Sequence, residues 1–187
     1  MANGQKTWCI ANPLSHDSAL AANIEYACSL LDCRWIQPDG PCFEPDTLLQ
    51  HASYVMNMYY QAYGRHLSDC DFKNTGLVSL TDPSYGNCTF ESGGALAEEE
   101  PSETWCVAKP GTSDELLQQD IDFACNHVDC SPTHVGGACF YPTNLINHAS
   151  YAMNLCYQTT DRKNSSCDFR GTGLLVSVDP SYGNCSY

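Results

Sequence analysis

The sequence predicts an α+β protein built from two small disulfide-rich modules, each with two main helices and a small antiparallel sheet. Three observations predict this fold: an internal repeat, a matched set of cysteines in both copies, and helical spacing of apolar residues. Of the 187 residues, 43% are hydrophobic and only 16% are charged. Such a chain can bury a core, which excludes global disorder.

The chain is a tandem repeat. Shifted by 97 residues, positions 8–90 align with 105–187 without a gap, and 39 of the 83 aligned pairs are identical. We therefore predict a first module at 8–90 and a second module at 105–187. Residues 91–104 hold five acids, no base, two adjacent glycines and a proline, so they are predicted to be an acidic flexible linker. This organisation predicts two separate modules on a string rather than a stacked solenoid.

Apolar spacing places the helices in each module. Leu20, Ile24 and Ala27 follow a helical pattern, which predicts a first helix from about Asp17 to Leu30, and the second copy repeats it. There, Thr112 and Glu115 are predicted to form a capping box. The second helix is predicted over Pro45–Gln61 and Pro142–Gln158, with proline near the first helical position. Residues 173–178 read as a strand, and Asp-Pro-Ser-Tyr-Gly as a turn.

Thirteen cysteines indicate an oxidising compartment and a disulfide framework. Twelve form six aligned pairs between the copies, but sequence alone leaves several connectivities open within each module. If Cys28 pairs with Cys33, the helix must break between them, because a continuous helix would hold their Cα atoms about 8.6 Å apart. The cysteine spacing does not match a zinc site, so no metal is predicted.

Cys156 has no cysteine counterpart, since it lies opposite Tyr59. It is predicted to be a buried free thiol that acts as a small apolar residue, with an intermolecular disulfide as the alternative. The first residues, Met1 to Lys6, do not resemble a signal peptide, so a secreted form would have lost its signal, and a C-terminal anchor signal could be missing too.

The charge balance excludes several partners. With 8 basic and 22 acidic residues, the formal net charge is -14, which argues against nucleic acid and against anionic membrane surfaces. No apolar run is long enough to cross a bilayer. No cofactor is predicted, because no phosphate-binding loop or serine nucleophile elbow occurs. The acids shared by both copies occupy predicted helix ends and turns, where capping is their usual role, so an enzyme is not expected.

A binding surface fits the sequence better than an active site. On the second helix His51, Tyr54, Asn57 and Gln61 share one face. An aromatic ring beside amide groups suits a sugar, because the ring accepts the apolar C–H face while the amides bond the hydroxyls. The alternative is that the tyrosine packs inward and the polar groups tie down loops. The candidate sugar-binding residues are Tyr54, Asn57, Tyr60, Gln61 and Tyr85, with their counterparts Tyr151, Asn154, Tyr157, Gln158 and Tyr182.

Three N-glycosylation triplets begin at Asn87, Asn164 and Asn184. Asn87 and Asn184 adjoin cysteines that are expected to be bridged. Asn164 is therefore the predicted glycan site.

Five segments of the second copy resemble the plant X8 domain, which is carbohydrate-binding module family 43. They are Trp-Cys-Val-Ala-Lys from Trp105, Ile-Asp-Phe-Ala-Cys from Ile121, His-Ala-Ser-Tyr-Ala-Met-Asn from His148, Cys-Asp-Phe-Arg-Gly-Thr-Gly from Cys167, and Asp-Pro-Ser-Tyr-Gly-Asn-Cys from Asp179. The first copy resembles the family as well, so the likeness covers all but the N-terminal tail and the linker.

The resemblance implies a secreted plant module that binds β-1,3-glucan, such as callose or laminarin-like chains, without cutting it. It implies an extracellular or cell-wall location, with anchoring at the plasma membrane or plasmodesmata in the full-length precursor. Two weak sites on one chain would raise avidity for a polymer. The alternative hypothesis is a secreted cell-surface protein-interaction module without a sugar site.

The resemblance also implies a disulfide pairing for each module. The implied pairs are Cys9–Cys70, Cys28–Cys33 and Cys42–Cys88 in the first module, and Cys106–Cys167, Cys125–Cys130 and Cys139–Cys185 in the second.

Overall fold

The computed structural model describes residues 5–93 and 103–187, and both modules have the same order of elements. The first module contains strand β1 (Trp8–Ala11), helix α1 (Asp17–Cys28), helix α2 (Leu48–Ala62) and strand β2 (Gly76–Ser79). The second contains strand β3 (Trp105–Ala108), helix α3 (Asp114–Cys125), helix α4 (Leu145–Thr159) and strand β4 (Gly173–Val176). The predicted α+β class with two helices per module is confirmed.

The helix ends are set by capping side chains. Helix α2 begins at Leu48 because the Thr47 hydroxyl accepts a hydrogen bond from the Gln50 N–H, and Asn144 caps α4 in the same way. The predicted starts at Pro45 and Pro142 were therefore wrong, since both prolines lie before the cap. The predicted capping box at Thr112 is also wrong, because Ser113 is the residue that caps α3.

All six disulfides implied by the family resemblance are present. The longest-range bonds, Cys9–Cys70 and Cys106–Cys167, tie the first strand of each module to the turn before its second strand. Helix α1 ends at Cys28, and the chain turns so that the Cα atoms of Cys28 and Cys33 lie 5.6 Å apart. The predicted break between these two cysteines is confirmed. Cys156 is a buried free cysteine, as the sequence predicted.

Each module packs its two helices against one face of its strand pair. In the first module Cys9, Ala11 and Val78 on the strands meet Ala52 and Met56 of α2 in a buried cluster. The second module repeats this arrangement with its own strands and α4. The second helix of each module is therefore held between the strands and the first helix.

The two modules share one antiparallel sheet with the strand order β1-β2-β4-β3. The inner strands meet at Ser79 and Val176, which are equivalent positions of the repeat. Two backbone bonds flank this pair: Leu80 N–H to the Leu175 carbonyl at 2.8 Å, and Ser177 N–H to the Val78 carbonyl at 3.0 Å. These bonds are also related by the repeat, so the contact has the character of a two-fold interface.

The shared sheet corrects the expectation of separate modules on a string. One buried cluster contains residues of both modules: Ile10, Leu77, Val107, Leu174 and Val176. These side chains lie on the face of the strands opposite to the face that packs against the helices. Both faces of the strands are thus apolar, which is the pattern of a doubly covered sheet.

The predicted flexible linker lies largely outside the described residues, because 94–102 are not described. Within the described parts of the chain, no helix has the length and apolar character that a membrane crossing needs.

Candidate functional site

The polar residues of α2 and α4 join each helix to the first strand of its module. The Asn57 side-chain oxygen accepts a hydrogen bond from Cys9 N–H at 3.1 Å, and Asn154 accepts from Cys106 N–H at 3.0 Å. Both asparagines are buried. The Oδ1 atom of each asparagine therefore holds the helix to the strand. This agrees in part with the alternative interpretation from the sequence, in which these polar groups fix neighbouring segments instead of binding a sugar.

In the first module the rest of this polar face is occupied by the chain itself. Asn57 Nδ2 donates to the Glu91 carbonyl at 2.9 Å, and Gln61 Oε1 accepts from Gly93 N–H at 2.8 Å. Gln61 Nε2 also donates to the Thr7 carbonyl at 2.9 Å. An extended backbone thus already satisfies the donor and the acceptor that a sugar would need here.

In the second module the corresponding face opens into a cavity of about 410 Å³. Tyr151, Asn154 and Gln158 all line it, so three of the predicted sugar-binding residues are brought together. Gln158 Nε2 donates to the Thr104 carbonyl at 3.0 Å, as Gln61 does to Thr7. The other lining residues are Glu103, Thr104, Trp105, Leu155, Arg162, Asp179, Ser186 and Tyr187.

Aromatic rings form one wall of this cavity. The Tyr151 and Tyr187 rings meet edge to face, with centroids 5.6 Å apart. Burial raises the pKa of Tyr151, and it raises the pKa of Tyr187 well above the usual value. The Tyr187 hydroxyl is buried and has no hydrogen-bond partner among the described residues. The equivalent pair in the first module is Tyr54 with Phe90, which lacks that hydroxyl.

The remaining predicted tyrosines lie elsewhere. Tyr60 and Tyr157 are core residues whose hydroxyls contact Thr7 and Thr104 at 2.9 and 2.7 Å. Tyr85 and Tyr182 are half-buried in the turns before Cys88 and Cys185. The Tyr85 hydroxyl donates to the Glu44 carbonyl, and burial raises its pKa to about 12.

The acids and histidines shared by both copies mostly stabilise the backbone. Asp82 and Asp179 each accept the N–H of the serine two residues on, at 2.8 Å. At the turn after the first helix, Asp32 accepts the Arg34 N–H at 3.1 Å and Asp129 accepts the Ser131 N–H at 2.9 Å. His51 and His148 contact the carbonyls of Phe43 and Phe140 at 2.8 and 2.9 Å. These four acids therefore stabilise turns, whereas the side chains that cap α2, α3 and α4 are Thr47, Ser113 and Asn144.

Sequence reasoning missed two groups of residues. The first group, Trp105, Arg162 and Tyr187, lines the second-module cavity. The tryptophan and the arginine are identical in both copies of the repeat, and this identity could have identified them as candidates. On the far side of α2, four aromatic residues make a partly exposed cluster. They are Tyr26, Tyr59, Tyr63 and Phe72.

Each of the three glycosylation triplets begins with an exposed asparagine. Asn164 lies at the start of a short 3-10 helix, Asn164–Cys167. Asn87 and Asn184 lie in the turns beside bridged cysteines. Because all three asparagines are exposed, exposure does not favour one of them, and glycosylation at Asn164 stays a prediction.

The fold and site define a class of small disulfide-braced modules that carry a polar and aromatic face on their second helix. The X8 domain model matches residues 7–77 and 104–174, so this chain belongs to the X8 domain family.

Three relatives show where such modules occur. A glucan endo-1,3-beta-glucosidase of Triticum aestivum is 53% identical over 83 residues, which is 44% of this chain and 18% of the enzyme. The major pollen allergen Ole e 10 of Olea europaea is 47% identical over 91 residues, covering 48% of this chain and 74% of the allergen. The plasmodesmata callose-binding protein 2 of Arabidopsis thaliana is 46% identical over 87 residues, covering 46% and 45%.

Each of these matches is about as long as one module. The glucosidases of Triticum, Olea and Arabidopsis are covered over only 17–19% of their length. The similarity therefore concerns a small part of those enzymes.

Proposed function

We propose that this protein binds β-1,3-glucan of the callose type without cutting it, chiefly through the cavity beside helix α4. Family membership supports a carbohydrate ligand, and one relative is named for callose binding. The relatives also support an extracellular or cell-wall location. Both are proposals for this chain, because the first relatives are matched over less than a fifth of their length.

The observation that carries the proposal is that Tyr151, Asn154 and Gln158, three predicted sugar-binding residues, line one cavity beside α4. Asn57 and Gln61 bond the backbone of Glu91 and Gly93 through one donor and one acceptor. The same atoms of Asn154 and Gln158 belong to residues that line the cavity. A sugar hydroxyl both donates and accepts, so it can replace the backbone groups seen in the first module.

The aromatic wall supplies the second requirement of a sugar site. Trp105, Tyr151 and Tyr187 offer apolar ring surface and ring edges to the C–H groups of a pyranose. The buried Tyr187 hydroxyl would gain a partner when a ligand hydroxyl approaches, which removes the cost of an unpaired polar group.

Absence of hydrolysis is supported by the roles of the shared acids. Cutting a glycosidic bond needs two carboxyl groups that face each other across the substrate. Two acids line the cavity, Glu103 and Asp179. Asp179 accepts the Ser181 N–H at 2.8 Å, and Glu103 has Lys6 as its counterpart, so the repeat keeps no pair of acids at this face.

The first module is proposed as a weaker site on the same chain. Tyr54, Asn57 and Gln61 could face a glucan only after the backbone of residues 91–93 has moved away. Tyr85 and Tyr182 pack against the clusters that contain Tyr54 and Tyr151, so they support these two tyrosines from behind. If both modules engage one polymer, the second contact is intramolecular and raises the avidity.

Retention on insoluble β-1,3-glucan tests this function. We expect the protein to bind callose in preference to cellulose and to release no new reducing ends from laminarin. The variant Gln158→Leu removes the acceptor at the cavity and should weaken retention by about tenfold, the equivalent of one lost polar contact.

The matched control is Gln61→Leu in the first module, where the face is already occupied, and it should change retention much less. Equal retention on callose and cellulose, or no retention at all, would contradict glucan binding and favour a protein-interaction module. Equal effects of the two variants would move the main site away from α4.

A further inference from the structure

The partly exposed aromatic cluster of the first module is arranged around one half-buried tyrosine, Tyr59. The Tyr59 ring stacks on Tyr63 with centroids 4.3 Å apart. It meets the edge of Phe72 at 5.3 Å and lies tilted against Tyr26 at 5.6 Å. Tyr26 and Phe72 themselves meet edge to face at 6.4 Å. The ring of Tyr59 therefore fills a slot whose walls are Tyr26 and Phe72.

The second module keeps the walls of this slot and replaces the ring. Phe123 and Phe169 are the counterparts of Tyr26 and Phe72, and they meet edge to face at 6.1 Å and 85°, close to the 6.4 Å and 77° of the first pair. Cys156 stands where Tyr59 would be, and Thr160 stands where Tyr63 would be. A cavity of about 670 Å³ lies between these residues.

The residues around this cavity suit a neutral phenol ring such as that of Tyr59, which fills the equivalent position in the first module. Burial raises the pKa of the Cys156 thiol, so its floor is uncharged. The Tyr59 hydroxyl contacts the Tyr26 hydroxyl at 3.4 Å, and this hydrogen bond, together with burial, raises the pKa of Tyr59 to about 12. The negative charge of Asp69 adds a smaller contribution in the same direction. Position 69 is Ser166 in the second module, a hydroxyl that lines the cavity without carrying charge.

Four charged residues line the cavity, Asp120, Asp122, Asp168 and Arg170, and two of them, Asp120 and Arg170, form an ion pair. Asp120 is buried and accepts hydrogen bonds from Arg170 at 3.1 Å and from the Thr172 hydroxyl at 2.6 Å. Arg170 also donates to Gln119 at 3.2 Å. These contacts hold one end of the cavity in place. Because Asp122 and Asp168 also line it, the cavity favours a neutral ring over an anionic ligand. The volume is in the range of small-molecule sites.

We propose that the cavity between Phe123, Phe169 and Cys156 is a binding site for a small phenolic compound, whose ring takes the position that Tyr59 occupies in the first module. The site lies on the α3-facing side of α4 and shares no lining residue with the glucan cavity. Phenol binding is therefore independent of glucan binding, and either can fail without the other.

The probe is 4-methylphenol, which is the side chain of tyrosine without its backbone. Calorimetric titration of the full chain should show one site. Intermolecular NMR contacts should place the ligand's methyl group next to Cys156, because this methyl group corresponds to the Cβ atom of Tyr59. The saturated analogue 4-methylcyclohexanol has the same substituents but no flat aromatic ring. It should therefore bind several-fold more weakly than 4-methylphenol between Phe123 and Phe169.

Two opposite variants test whether the slot is the site. Cys156→Tyr restores the ring of the first module and should weaken 4-methylphenol binding by at least about tenfold. Tyr59→Cys should create a second site, since a cavity left by a removed ring can take up a molecule of the same shape. Cys156→Ala is the matched control, which keeps the cavity and should keep the affinity within a few-fold.

Unchanged binding in Cys156→Tyr would overturn the proposal, as would equal binding of the saturated analogue. If Cys156→Tyr does not fold, Tyr59→Cys still decides, because a single site in that variant also contradicts a tyrosine-shaped slot. Callose retention should be the same in wild type and Cys156→Tyr.

Discussion

Single residues explain why the two copies keep the same backbone while their surfaces differ. Gly76 and Gly173 are required because a Cβ atom at either position would lie 1.6 or 1.7 Å from the carbonyl oxygen of a bridged cysteine. Asn57 and Asn154 both hold the first strand to the second helix. By contrast, the change from Tyr59 to Cys156 alters a surface while leaving the surrounding fold intact.

The close approach at Gly76 leads to a prediction at the residue scale. Gly76→Ala should destabilise the protein by about 3 kcal/mol or more, because the backbone of Cys70 is tied by a disulfide and cannot move aside. The change should be measured as a shift of the urea midpoint.

Gly86→Asn is the control for this prediction. Gly86 has a φ of +49° and nothing within 4 Å of an added Cβ, and asparagine tolerates that conformation. The midpoint of the control should move little. If the urea midpoint of Gly76→Ala is close to that of wild type, the Cys70 carbonyl can move away from the added methyl group, and the prediction is wrong.

Among the elements, the disulfides differ in what they hold. Cys9–Cys70 closes a loop with a sequence separation of 61, whereas Cys28–Cys33 spans only 5 residues at the end of α1. The long bond links β1 to the segment before β2, and the short bond only fixes a turn. The loss of conformational freedom in the unfolded chain grows with loop length, so the two bonds are expected to contribute unequally.

Removing each bond by a pair of alanines tests this difference. We expect Cys9→Ala with Cys70→Ala to cost about 4 kcal/mol, and Cys28→Ala with Cys33→Ala about 2 kcal/mol, in the chain-entropy treatment. Chemical denaturation of the two double variants provides the measurement. A larger loss for the short bond would mean that its role is to anchor the helix end, not to restrict the unfolded chain.

Elements with a local signal could be predicted from the sequence, and those that depend on distant partners could not. The helices follow from apolar spacing, and the start of α1 at Asp17 was predicted correctly. The starts of α2 and α4 were misplaced because the caps, Thr47 and Asn144, follow the prolines. Strand β1 has only four residues and shows no alternation, so its pairing with β2 had no sequence signal. The disulfide pairing came from family resemblance and not from spacing.

Only the part of the candidate site that lies on one helix could be predicted from the sequence. Tyr151, Asn154 and Gln158 lie on one helical face, so their proximity follows from helix geometry. Trp105 and Tyr187 reach the same cavity from a strand and from beyond the last strand. The cluster of Tyr26, Tyr59 and Phe72 joins three segments, which no local pattern reveals.

At the scale of the whole molecule, the modules are joined by more than the linker. The pairing of β2 with β4 and the cluster that contains Ile10, Leu77 and Val107 cross the boundary. Side chains add two contacts: Asn12 donates to the Pro180 carbonyl and Lys109 to the Ser84 carbonyl, each at 3.2 Å. The glucan cavity and the first-module face therefore belong to one body.

This connection predicts cooperative unfolding. Scanning calorimetry should show one transition whose calorimetric and van't Hoff enthalpies agree, because neither module can open without exposing the shared cluster. Ile10→Ala should lower the stability of the whole protein by about 2–5 kcal/mol, although Ile10 belongs to the first module. Two separate transitions in wild type would show instead that the contact between β2 and β4 is too weak to couple the modules.

The meeting of equivalent residues at Ser79 and Val176 has a consequence for how the duplication is maintained. Each copy covers the open hydrogen-bonding edge of its sibling's inner strand. Deletion of either copy would leave the survivor with an unprotected edge and an uncovered apolar face, the combination that promotes aggregation. Once joined in this way, the two halves are retained together, while their outward surfaces remain free to diverge.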